Sequence, residues 1–79
     1  MAFKNFNLIL KLERNNLFTN KNIAIYENDE FITDCRMRDF VIDNEGLTKN
    51  DIRQLANLKL DESWLISTNC DYAKIVRIK

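Results

Sequence analysis

Leu47-Thr48-Lys49-Asn50-Asp51-Ile52-Arg53-Gln54-Leu55-Ala56-Asn57-Leu58 carries the signals of a helix from end to end. Thr48 is a suitable N-cap, since its hydroxyl can accept a backbone N–H two or three residues on. Asp51 stands at the reciprocal position of a capping box, although its side chain is shorter than that of Glu. Leu47 and Ile52 flank the cap at the spacing of a hydrophobic staple. Gly46 is placed to let the chain turn into the cap. Ile52, Leu55 and Ala56 repeat at i, i+3, i+4 and make one apolar stripe, while Arg53, Gln54 and Asn57 take the wet side. Some three turns of helix are marginal alone in water. This helix therefore needs a surface to lean on, and the rest of the chain reads as strand.

Upstream, Phe6, Leu8, Leu10 and Leu12 alternate with Asn7, Ile9, Lys11 and Glu13, a period of two that predicts a first strand with one face inward. A polar connection over 14–21 follows; Asn15-Asn16 suits a turn, and Leu17 and Phe18 either tuck under the sheet or lie exposed. Asn22-Ile23-Ala24-Ile25-Tyr26 is the second strand. Glu27-Asn28-Asp29-Glu30 is a turn, with Asn28 and Asp29 fitted to left-handed geometry. Phe31 to Met37 returns as the third strand. Ile25, Tyr26, Phe31 and Ile32 are all apolar, so alternation leaves open which of Ile25 and Tyr26 faces the core. Phe31, Cys35 and Met37 share one parity and Phe40 and Ile42 the other, which calls for a β-bulge or short turn near Arg38-Asp39.

Downstream, Trp64-Leu65-Ile66-Ser67 reads as a strand, and Thr68-Asn69-Cys70-Asp71 as a hairpin turn. In the last strand Tyr72, Val76 and Ile78 share a face, with Lys74, Arg77 and Lys79 polar. Tyr72 and Trp64 are expected to dominate the core. The predicted architecture is α+β: a small antiparallel sheet of about five strands with one helix on one face, in the order β-β-β-α-β-β. The 79 residues make a single domain, 1–79, with a thin core.

Lys and Arg number 12, as do Asp and Glu. Zero net charge argues against a general nucleic-acid or anionic-membrane binder and leaves self-association, as a homo-oligomer, open. No apolar run is long enough to span a membrane. Met1-Ala2-Phe3-Lys4-Asn5-Phe6 lacks the long apolar stretch of a signal peptide, so an intracellular location with reduced Cys35 and Cys70 is expected rather than a Cys35–Cys70 bridge.

The chain has no His, which removes the commonest general base and the Ser-His and Cys-His pairs. Without His or a C-x-x-C motif no zinc set forms, and a single Gly precludes a phosphate-cradling loop. Asp29-Glu30 and Asp61-Glu62 read as solvated turn carboxylates. The expectation is a protein that is not an enzyme and needs no cofactor or metal. Arg36 and Arg38 flank Met37 on a strand's polar face. With Lys11 and Arg14 they could line a phosphate track beside Tyr26, but cross-strand pairing with Asp34 or Glu13 is the plainer reading. Tyr26 ends a strand against a polar turn, a placement common to interface tyrosines.

The stretch Asn22-Ile23-Ala24-Ile25-Tyr26-Glu27-Asn28 resembles a strand-turn segment of small phage anti-CRISPR proteins that inhibit the type I-F CRISPR surveillance complex. Arg38-Asp39-Phe40 is similar to a later tripeptide of that family. The resemblance covers about a quarter of the chain, and the C-terminal strands depart from the family's terminal helix. It implies a non-enzymatic inhibitor, acting in the host cytoplasm, that binds the surveillance complex and sterically blocks target DNA. It also implies that Tyr26 is a contact residue. The neighbouring Glu27 and Asn28 join it as expected partner-binding residues, with Arg36 and Arg38 as a polar rim. The alternatives are a small nucleic-acid-binding regulator and an oligomerising structural protein.

Overall fold

The computed structural model describes residues 5–44, 46–67 and 72–79. Its elements run α1 (Phe6–Arg14), β1 (Asn22–Glu27), β2 (Glu30–Arg36), α2 (Met37–Asp43), α3 (Lys49–Ala56), β3 (Ser63–Ser67) and β4 (Tyr72–Arg77). The four strands form one antiparallel sheet in the order β2-β1-β4-β3, so two hairpins lie side by side and the first strand of one pairs with the last of the other. The class is α+β with an antiparallel sheet, as expected, but the described residues form four strands rather than five and three helices rather than one.

Helix α3 forms as its sequence demands. Thr48 Oγ1 accepts the Asp51 backbone N–H at 3.1 Å and Asp51 Oδ2 accepts the Thr48 backbone N–H at 3.2 Å. Leu47, Ile52, Leu55 and Ala56 are all buried. Gly46, however, does not use a positive φ. The left-handed turns belong to Asn5, Asn16, Asn20, Asn28, Asp29 and Asp61, whose short polar side chains tolerate that geometry.

Two of the segment assignments are overturned. Residues 6–14 are helix α1 rather than a first strand. The alternation of Phe6, Leu8, Leu10 and Leu12 competes with a helical stripe through Ile9 and Leu12, and these two are the side chains that α1 buries. Ile9, assigned to the wet face of a strand, is a core residue. The change of parity near Arg38 marks neither a bulge nor a turn there. The strand stops at Arg36 and α2 begins, and Met37, Phe40 and Val41 then recur at i, i+3, i+4. A register shift does occur, but between Ile25 and Tyr26, leaving Ile32 without a partner on β1.

All three helices cover one face of the sheet. Ile23, Ile66, Ala73 and Ile75 from the strands share a core with Ile9, Leu12, Met37, Val41, Ile52 and Leu55. Phe18 closes the same core, settling its place under the sheet. Ile23, Met37, Ile52, Leu55 and Ile75 are fully sealed, and each such side chain contributes about 1.5–3 kcal/mol of transfer free energy. Ile25 faces this side and Tyr26 the other. Tyr72 and Val76 do share a face, but it is the one that none of the described helices covers, because Ala73 and Ile75 point inward. Tyr72 is therefore exposed and not a core residue. Trp64 packs on the core margin. The expected turn over 68–71, with Cys70, lies outside the described residues. Among the described residues no helix is long and apolar enough to cross a membrane.

Candidate interaction surface

The uncovered face of the sheet is assembled by register. Tyr26 of β1 lies opposite Phe31 of β2 and Lys74 of β4, and Lys74 lies opposite Leu65 of β3. Phe31, Tyr26, Lys74 and Leu65 thus form one row across all four strands. Behind it runs a second row of Asp34, Ala24, Val76 and Ser63. Ala24 is buried yet stands outside the helix-side core, a small side chain shielded by its larger neighbours on this face.

The hairpin loop explains the first row. Asn28 and Asp29 have φ of 51° and 64°, which makes a two-residue connection whose twist suits the strands on either side. Such a loop pairs Glu27 with Glu30 and then Tyr26 with Phe31. The two rings meet edge to face, centroids 5.8 Å apart and planes at 73°, the arrangement favoured by aromatic quadrupoles. Phe31 is 56% exposed and Leu65 62%. The four strands thus carry half-buried Tyr26 and exposed Phe31, Leu65 and Lys74 on a face over which none of the described helices lies.

The five partner-binding residues expected from sequence do not form one cluster. Tyr26, Glu27 and Asn28 sit together at one end of the β1–β2 hairpin. Arg36 is at the other end, opposite Asn22. Four residue steps of strand separate the levels of Asn22 and Tyr26, roughly 13 Å. Arg38 lies on α2 instead of a strand. Its Nε meets Glu13 Oε1 of α1 at 2.7 Å, so it ties two helices together. Arg36 Nε meets Asp39 Oδ2 at 3.0 Å, within the strand-to-helix junction. The pairing with Glu13 is thus present, but by helix packing and not across strands. Lys11 is turned toward Lys49 and Arg53, away from Arg36 and Arg38. The phosphate track of Lys11, Arg14, Arg36 and Arg38 beside Tyr26 is not assembled.

Phe31, Lys74 and Leu65 were not singled out by sequence reasoning. The signal for Phe31 was there: a two-residue Asn-Asp loop puts the residues flanking it in fixed opposition. Lys74 and Leu65 carry no local signal, since their positions depend on pairing between the two hairpins.

Titration behaviour follows the same geography. Burial pushes the Cys35 thiol up, and the carboxylates of Asp39, Asp34 and Asp43 push it further. A thiol held in that state is a poor nucleophile at neutral pH. Lys21, whose Nζ donates to the Ala56 carbonyl at 2.9 Å, has its pKa lowered by burial and by the charge of Arg77. Among the described residues no group of three His, Cys, Asp or Glu side chains is placed to hold a metal ion. Set against protein-family models, curated proteins and solved structures, the chain matches none.

Proposed function

We propose that this protein is a small non-enzymatic binding module that lays its uncovered sheet face on a partner protein and acts by occupying that surface. In line with the resemblance at Asn22–Asn28, the partner is a CRISPR surveillance complex in the host cytoplasm, the outcome is exclusion of target DNA, and the source is a phage or mobile element. The single observation that carries the binding reading is the edge-to-face pair of half-buried Tyr26 and exposed Phe31, in a row that Lys74 and Leu65 continue as exposed side chains. Rigid aromatics that add contact area at small entropic cost are the usual anchors of protein interfaces. Tyr26, the contact residue implied by the resemblance, is on this face. Glu27 and Asn28 border it, and Arg36 stands at its far end.

A second reading is favoured by one feature of the same row. Tyr26 and Phe31 beside Lys74 have the composition of a platform for stacking single-stranded nucleic acid. Asp34 in the adjacent row and the zero net charge weigh against it.

The test is capture of the tagged protein with type I CRISPR complexes, followed by target-DNA binding. Tyr26→Ala with Phe31→Ser should weaken capture at least about 100-fold, the scale of a lost aromatic anchor, with the circular-dichroism spectrum retained. A folded double variant that captures the complex as well as wild type removes the sheet face from the reading. No capture at all removes the CRISPR partner. Binding to single-stranded DNA that falls steeply with salt moves the function to the second reading.

A further inference from the structure

The helix-facing side of the sheet is not sealed throughout. Where α2 leaves β2, a groove of about 370 Å³ opens between the helix and the strands. Ile25, Phe40, Leu47 and Ile66 give it an apolar floor. Ile32, displaced by the register shift and 50% exposed, stands at its mouth. The rim is of one sign: Glu27 from the end of β1, and Asp39 and Asp43 from α2. Among the described residues no lysine or arginine lines it. Asp39 is paired with Arg36, whereas Glu27 and Asp43 have no cation within ion-pair distance among the described residues. The Cys35 thiol, which also lines the groove, is raised partly by Asp39 and Asp43, so the carboxylate field reaches inside.

An apolar floor under an anionic rim fits a side chain with a long hydrocarbon stem and a cationic head. We propose that this groove receives a lysine or arginine side chain of a partner polypeptide, its stem along Ile25, Ile32 and Phe40 and its charge on Glu27 and Asp43. Neither part suffices alone. A purely apolar occupant leaves the carboxylates without a partner of opposite charge, and a compact cation leaves Ile32 and Phe40 in water. The groove is on the opposite side of the sheet from Tyr26 and Phe31 and shares with the binding face proposed above only Glu27, at the hairpin end; Tyr26→Ala with Phe31→Ser leaves every groove residue in place, so the two sites are tested separately.

The experiment titrates the isotope-labelled full chain at pH 6.0 with three capped tripeptides, acetyl-Gly-X-Gly-amide, followed by amide chemical shifts. X is lysine, norleucine, which keeps the stem and lacks the charge, or 2,4-diaminobutyric acid, which keeps the charge on a stem two methylenes shorter. The lysine peptide should shift the amides of Ile25, Cys35 and Phe40 saturably, bind about tenfold tighter than the 2,4-diaminobutyric acid peptide, the scale set by two buried methylenes, and bind about threefold to tenfold tighter than the norleucine peptide, the scale of ion pairs at a partly exposed rim. Glu27→Gln with Asp43→Asn should bring the lysine peptide down to the norleucine level, at an unchanged melting temperature. Added salt should weaken the lysine peptide on the wild-type chain, a check that needs no substitution. Equal binding of either control, shifts centred elsewhere, or indifference to salt and to the paired substitution overturns the proposal.

Discussion

Asp51 serves two partners at once. Its Oδ2 accepts the Thr48 backbone N–H at 3.2 Å and so closes the capping box of α3. Its Oδ1 accepts the Trp64 indole N–H at 2.9 Å and so ties that helix to β3. Burial pushes this carboxyl up, but the hydrogen bonds from Trp64 and Thr48 outweigh it, and the pKa ends below the ordinary carboxylate value. A depressed carboxylate adds stability that is present above its unfolded pKa and is lost as pH falls through the folded value. Trp64→Phe should therefore lower stability at neutral pH by about 1 kcal/mol and reduce the loss between neutral pH and the acid limb. Urea unfolding at pH 7 and at pH 3 checks both; equal losses at the two pH values would show packing alone at Trp64. The capping half of this residue's role was legible in Thr48-x-x-Asp51. The indole half was not, because a contact across thirteen residues leaves no local pattern.

At the scale of elements, periodicity was decisive where one period stood alone and misleading where two overlapped. Helix α3 has a single stripe, a cap and a staple, and all three agree. Its eight residues are too few to hold a helix unaided, so the cap matters. Thr48→Ala should cost about 1 kcal/mol in denaturant unfolding, whereas Thr48→Ser should cost far less because the accepting oxygen remains. Residues 6–12 satisfied a strand period and a helix stripe together. The helix forms where Ile9 and Leu12 can be buried against α2 and α3. The junction at Arg36-Met37 shows the same ambiguity in another form. A change of parity marks the end of one period, and only the i, i+3, i+4 recurrence of Met37, Phe40 and Val41 identifies what replaces it.

At the scale of the molecule, the sheet has an inside pair and an outside pair of strands. β1 and β4 are central, with Ile23 and Ile75 sealed, while β2 is an edge strand exposed almost throughout. Hydrogen exchange should therefore find the most protected amides in β1 and β4 and the outer-edge amides of β2 exchanging at least about tenfold faster. Uniform protection over all four strands would instead mean that the edge of β2 is covered in solution, as in the oligomerising alternative. The sequence alone determined the α+β class, the capped helix, the Asn28-Asp29 turn and most of the strand segments, because these rest on interactions within a few residues of one another. Tertiary structure decided that residues 6–14 are helix, that the two hairpins join through β1 and β4, and that Tyr72 faces outward. It also placed Arg36 and Arg38 far from Tyr26 and brought Lys74 and Leu65 beside it. Those outcomes depend on which apolar face finds cover, a quantity that exists only once the elements are packed.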